Sequence, residues 1–182
     1  MKNKHLLFLD IETTGFDLGK HEIVEIGAVL VKQNWSSAVP TFELVKEFEV
    51  KVQPMRIQDA DPTALRVNGY NEGEWIFAIS LEQAMHQLAE LGKDAIMVAH
   101  NIAFDAKFIE HAFETTGVNN ALNFRKLDTI SIAFAKLAKS PDVQRFSLND
   151  LCEHFGVKNE RAHTALADAR ATFELYQKLM TL

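Results

Sequence analysis

Cysteine occurs once in the 182 residues, at Cys152, so no disulfide can form within the chain, which suits a reducing, cytoplasmic setting. The lone thiol reads as a small core side chain. Long apolar runs are missing: none approaches the ~20 residues of a membrane span. The run Leu6-Leu7-Phe8-Leu9 meets Asp10 after four residues, too short for the apolar region of a secretory leader. No membrane association is expected. Prolines number 4 and glycines 8, with no repeat and no low-complexity tract, so no linker or second domain is needed. One domain spanning 1–182 is expected, burying roughly two-thirds or more of its unfolded surface. A positive surplus is also missing. The net charge is −6, awkward for a chain that would grip a polyanion across a broad basic face. Lys and Arg number 8 against 14 acids in residues 1–90, but 11 against 11 in residues 91–182. Any basic patch should therefore come from Arg125, Lys126, Lys136, Lys139, Arg145, Arg161 and Arg170, most of which are expected to be ordinary solvated charges.

What is present is a sequence of alternating strand and helix signals. Residues 5–12 and 22–32 read as strands, the second β-branched and apolar from Ile23 to Val31, and a third is expected within 42–53. Turn residues Pro62, Asn68-Gly69 and Gly73 punctuate the region from Asp59 to Trp75. Ser80-Leu81-Glu82-Gln83 is a capping-box pattern that predicts a helix to about Leu91. A buried strand at 95–99, a helix at 103–115, an extended segment near 123–127, helices at 129–139 and 147–155 and a final helix to Leu182 complete the pass. Three consecutive strands followed by helix, strand and helix predict an α/β fold. Its mixed five-stranded sheet would have three antiparallel strands and then parallel ones, with helices on both faces. Ligands would gather at the strand ends.

Four carboxylates and a histidine lie in three short segments: Leu9-Asp10-Ile11-Glu12-Thr13-Thr14-Gly15, His100-Asn101-Ile102-Ala103-Phe104-Asp105, and His163-Thr164-Ala165-Leu166-Ala167-Asp168. Asp10 and Glu12, two apart on a strand, share one face. Phe8 shares that face and Leu7, Leu9 and Ile11 fill the other, so the strand looks buried on both sides, where an unpaired carboxylate is expensive. Thr13-Thr14-Gly15 then turns the chain and offers hydroxyls and N–H groups at the edge of the site. Asp105 falls in the first turns of a helix, a place that the macrodipole favours for any acid, and Asn101 also fits a plain N-cap. His100 reads as a core residue or one that supports a ligand. His163 and Asp168, five apart, do not share a helix face. His163 therefore belongs in the loop before the helix, where it fits a mobile general base better than a fixed ligand. Hard oxygen donors from separate elements, with a base beside them, are what a two-metal phosphodiester hydrolysis needs. The four acids contribute −4 of the net −6, and two divalent cations would offset that to leave −2.

The three segments, in this order and spacing, resemble the DEDDh 3′-5′ exonuclease superfamily, of the DNA polymerase III epsilon-subunit and RNase T type. The resemblance runs from about Leu6 to Leu179 and includes Leu127-Asp128-Thr129, Ser147-Leu148, Leu151-Cys152 and Phe155-Gly156-Val157. It implies an RNase H-like fold, two Mg²⁺ or Mn²⁺ ions held by Asp10, Glu12, Asp105 and Asp168, and His163 as base. It also implies removal of nucleoside 5′-monophosphates from single-stranded 3′ ends. The stretch of Ile11, Thr13, Thr14, Gly15 and Phe16, with Asn101 and Phe104, resembles the part that holds the terminal nucleotide. Phe16, where relatives often carry Leu or Met, is a candidate to stack on the terminal base and equally a candidate to pack into the core. Asn68 stands where polymerase-type members often carry His. No tether for a polymerase partner is expected after the final helix. DNA is slightly favoured as substrate. An RNA-trimming enzyme, an internally cutting phosphoesterase and a catalytically lapsed binding module are the alternatives. Against the last, a binding module has no use for four carboxylates that repel phosphate.

Overall fold

The computed structural model describes residues 1–159 and 163–182. Its sheet has the order β3-β2-β1-β4-β5, from β1 (Leu6–Thr13), β2 (Ile23–Asn34), β3 (Thr41–Lys51), β4 (Ile96–Ala99) and β5 (Lys126–Asp128). The first three strands pair antiparallel, while β4 runs parallel to β1 and β5 parallel to β4. The helices are α1 (Pro62–Val67), α2 (Leu81–Leu91), α3 (Ile102–Thr116), α4 (Thr129–Leu137), α5 (Leu148–Phe155) and α6 (Ala165–Met180).

Strand alternation along β1 builds the layers. Leu7, Leu9 and Ile11 point to the face covered by α2 and α3, among Met85, Leu88, Phe108 and Ile109. Leu6 and Phe8 point to the opposite face, against Leu166, Ala169 and Tyr176 of α6, and α4 and α5 extend that layer around Leu137, Leu151, Leu175 and Leu179. Each fully buried side chain of this kind contributes about 1.5–3 kcal/mol relative to exposure. The predicted mixed sheet with helices on both faces is therefore the observed one. Ser80 and Gln83 form the reciprocal capping box expected at the start of α2, and Cys152 is buried as expected, its thiol pushed up to about 11, mainly by burial.

Several elements stop short of their predicted bounds, α4 at Leu137 rather than at residue 139 among them, and two others show the reason. The extended segment near 123–127 contributes only Lys126–Asp128 to the sheet, because the Asn120 and Asn123 side chains accept from Leu122 N and Arg125 N at 3.0 and 3.1 Å and hold the approach in turns. The final helix stops at Met180, where Thr181 caps it by donating its N–H to Lys178 O.

Since β1, β4 and β5 run in one direction, their carboxyl ends share one edge, and the chain leaves that edge into α3 and α4. Gly27 of β2 completes the geometry. A Cβ there would lie 2.1 Å from Ala165 C and Leu166 N, so only glycine lets the first turn of α6 rest on the sheet. Asp168, in that first turn, is thereby set against the end of β1.

Candidate active site

Asp10 and Glu12 occupy the last part of β1 on the α6 side, beyond the point where Leu6 and Phe8 have filled that face. The strand pair places Glu12 opposite Glu25 of β2, with a bulge just after Glu12. Asp105 enters from α3 and is 3% exposed. The start of that helix is fixed by Asp128: its Oδ1 accepts from Asn101 N (3.1 Å) and Ile102 N (3.3 Å), and its Oδ2 accepts from Ser131 N and Oγ. Asn101 itself sits at left-handed φ 72° and makes no side-chain cap, so the cap for α3 comes from β5 rather than from Asn101. His100, partly buried, lies against Thr129 Oγ1 and donates toward Phe146 O, both at 2.9 Å, and burial lowers its imidazole pKa.

Asp168 is held from two sides. Asn159 Nδ2 donates to its Oδ1 at 2.5 Å, and the backbone N–H of His163 donates to its Oδ2 at 3.0 Å. His163 lies in the turn before α6, with φ 72°, exposed to solvent. One donor atom each from the Glu12 carboxylate, the His163 ring and the Asp168 carboxylate lie within 4.8 Å of one another. Glu25 supports the same corner: 3% exposed, it accepts the Ala165 N–H at 3.0 Å and so satisfies a donor at the α6 N-terminus.

These acids crowd one another. Burial first, and then the charges of Asp105, Asp168, Glu12 and Glu25, hold the Asp10 carboxyl well above the usual carboxylate range. Glu12 is pushed up to about 8 by burial, then by Asp168, Glu25 and Asp105. Asp105 is also pushed to about 8, burial outweighing the N–H groups of its own residue and of Ile11, which favour the charged form. Glu25 is raised by burial against the opposing pull of the Ala165 N–H. Among the described residues no lysine or arginine pairs with Asp10, Glu12 or Asp105. Arg170 is taken by Glu47 (2.5 and 2.7 Å), Lys126 by Glu110 (2.5 Å) and Arg125 by the Phe124 ring. Lys136, Lys139 and Arg145 form no ion pair with these acids, and Arg161 lies outside the described residues. Clustered, half-buried to buried hard oxygens with no cationic partner among the described residues are the donor set that suits divalent cations.

Beyond the acids, the turn after β1 is tightly bonded. Thr13 Oγ1 donates to Gly15 O at 2.7 Å, and Asn68 Nδ2 donates to Thr13 O at 3.0 Å. Thr14 is buried, its hydroxyl accepting from Glu22 N at 2.9 Å. Gly15 is required by its φ of +149° and by the His21 ring, which a Cβ would meet at 2.4 Å. Ile11 packs in the core, with only its backbone near Asp105. Phe16, by contrast, is 74% exposed and meets Phe104 edge-on at 5.8 Å, so it does not serve the core. Sequence reasoning gave no role to Glu25, Asn68 or Asn159. For Glu25 the signal was present, a lone carboxylate inside the apolar run Ile23–Val31.

A model of the exonuclease family, RNase T type, matches residues 7–176. The chain is 33% identical over 173 residues to a DNA polymerase III PolC-type protein of Caldanaerobacter subterraneus subsp. tengcongensis, covering 94% of this chain and 11% of that one. It is 30% identical over 170 residues to the 3′-5′ exonuclease DinG of Staphylococcus epidermidis, covering 93% and 17% respectively. Among solved structures, E. coli exonuclease I in complex with a dA16 oligonucleotide superposes with a TM-score of 0.79 at 18% identity, over 98% of this chain and 41% of that one. The chain thus spans about a tenth to a sixth of the length of these curated relatives.

Proposed function

The chain belongs to the RNase T-type exonuclease family, and from that membership we propose that it is a divalent-metal-dependent 3′-to-5′ exonuclease. It shortens single-stranded nucleic acid, DNA slightly ahead of RNA, and releases nucleoside 5′-monophosphates. The observation that carries this reading is the cluster formed by the half-buried Asp10 and Glu12 at the end of β1 with the buried Asp105 and Asp168, of which Asp10, Glu12 and Asp105 pair with no lysine or arginine among the described residues, and which has His163 beside it. Asp10, Glu12, Asp105 and Asp168 would hold two Mg²⁺ or Mn²⁺ ions. Bound there, the ions would polarise the phosphate and lower the pKa of the attacking water.

The chain's own groups do the rest. His163, exposed on its turn, would take the proton from the attacking water; its ring lies beside Glu12 and Asp168 while its backbone N–H is bonded to Asp168. Asn159 and Glu25 hold the Asp168 carboxylate and the α6 N-terminus in place. The turn Thr13–Phe16, with Asn101 and Phe104, receives the terminal nucleotide and its 3′-OH. Thr14 acts there through the backbone it fixes, since its hydroxyl is engaged by Glu22 N. The DNA preference follows the DNA polymerase III PolC-type relatives, and a polymerase fits as a partner for the same reason. A cytoplasmic setting suits the lone buried Cys152, and among the described residues no helix is long and apolar enough to cross a membrane.

The test is a comparison of linear and circular single strands, DNA and RNA, with Mg²⁺ and with Mn²⁺. Linear strands should be degraded and circles of the same sequence spared. Cutting of the circles would make the enzyme an internal phosphoesterase, and faster loss of the RNA strand would reverse the substrate order.

A further inference from the structure

Phe16 presents an unusual problem of support. A phenylalanine that is 74% exposed gains little from burial, so nothing in the core fixes its ring. The loop behind it is anchored on one side by His21, whose Nδ1 accepts the Asp17 N–H at 2.9 Å and whose ring closes on Gly15. On the other side the anchor is Lys107, one helical position pair beyond Asp105. Its Nζ donates to Phe16 O at 3.2 Å. The same ammonium lies 5.0 Å from the Phe104 ring centre and 5.2 Å from that of Phe108. Phe104 in turn meets Phe108 at 5.1 Å and Phe16 at 5.8 Å. One cation therefore ties the loop that carries Phe16 to the helix that carries Asp105.

We propose that Lys107 is a positioning residue that holds Phe16 as a rigid stacking wedge for the 3′-terminal base, a specificity device that rests on the exonuclease reading above. Inclined at 62° to Phe104 and 74% exposed, the Phe16 ring is open to an incoming base, and base–aromatic stacking is tolerant of base identity. Lys107 adds no contact to the base. It removes the freedom the loop would otherwise lose on binding, so the gain is preorganisation. The two ring faces within reach of the ammonium add attraction that helps keep it at the Phe16 carbonyl.

The experiment reads stacking without turnover. An oligonucleotide ending in 3′-terminal 2-aminopurine is titrated into the Asp10→Ala protein, and quenching of the base gives affinity and stacking together. Adding Lys107→Met, which keeps an apolar stem and deletes the donor, should weaken binding about fivefold or more and reduce the quench at saturation. Lys107→Arg should restore both, and an abasic 3′ end, competed against the fluorescent strand, should bind all variants alike. In the active protein Lys107→Met should raise KM for a base-bearing end with little change in kcat. Adding it to Phe16→Ala should cost nothing further. Equal weakening on base-bearing and abasic ends would make Lys107 a plain phosphate contact and overturn the proposal, as would a quench unchanged by Phe16→Ala. Absence of turnover in the native protein would sink the exonuclease reading alone, since the quench is measured without it.

Discussion

Raising the pH on the metal-free protein should destabilise it, in the opposite sense to most carboxylate effects. Glu12 and Asp105 are both held at about 8 in the folded state, from ordinary values of 4.5 and 3.8. Between about pH 4.5 and 8 the native state therefore keeps protons that the unfolded chain releases. Stability falls wherever the native state binds more protons than the unfolded one. The stabilisation of the protonated form is complete below the unfolded value and is lost as pH climbs through the window. At about 1.4 kcal/mol per pH unit for one proton, a single acid displaced over this range contributes on the order of 5 kcal/mol. That rivals the whole stability of an ordinary domain, about 5–15 kcal/mol. For a chain of this size it corresponds to a fall in Tm of roughly 10–20 °C. Circular dichroism melts in EDTA from pH 5 to 8.5 read the effect directly. Saturating Mg²⁺ or Mn²⁺ should abolish or invert the slope, because the cations supply the missing counter-charge, and Glu12→Gln should make it shallower without metal, because it removes one of the two displaced acids. Carboxylates depressed elsewhere, such as Asp128, lose their stabilisation only on acidification, so they act below this window. A metal-free Tm that is flat or rising from pH 5 to 8 would show that the acids are not crowded as described.

Three further outcomes follow from the geometry. His163→Ala should lower kcat roughly 10²–10⁴-fold while leaving calorimetric metal binding nearly unchanged. Its pH–rate profile should lose the lower limb seen in the native enzyme, whereas loss of the metal with the rate would make His163 a ligand. Gly27→Ala should push α6 off β2 and carry Asp168 with it; overpacking of this kind costs about 1–3 kcal/mol or more, and activity should fall further than the melt alone explains. Asp128→Ala removes the carboxylate that caps α3, costing about 0.5–2 kcal/mol and loosening Asp105, which a raised metal requirement for half-maximal rate would report.

Much of this site was legible in the chain because its carriers obey local rules. The alternation of Leu7, Leu9 and Ile11 against Phe8, Asp10 and Glu12 fixes which acids share a face, and the five-residue spacing of His163 and Asp168 forces the histidine out of the helix. Both readings need only the periods of strand and helix. What escaped depends on chain segments far apart. Asp128 caps a helix 26 residues earlier, and Glu25 accepts from Ala165, 140 residues away. Lys107 gains its role only because Phe16 lies beside it. No local period announces such pairs. The core alternative for Phe16 is likewise removed by packing, since only the fold shows its ring 74% exposed and touching Phe104 rather than buried.

The most direct test of the central claim is a time course on single-stranded DNA and RNA oligonucleotides labelled at either end, run with the native protein and with Asp10→Ala in Mg²⁺. The 5′-labelled strand should give a descending ladder and the 3′-labelled one should release labelled mononucleotide at once, with a blocking 3′-phosphate slowing both and Asp10→Ala inactive. Labelled mononucleotide appearing first from the 5′ end, or more than a few per cent of native activity in Asp10→Ala, would contradict it.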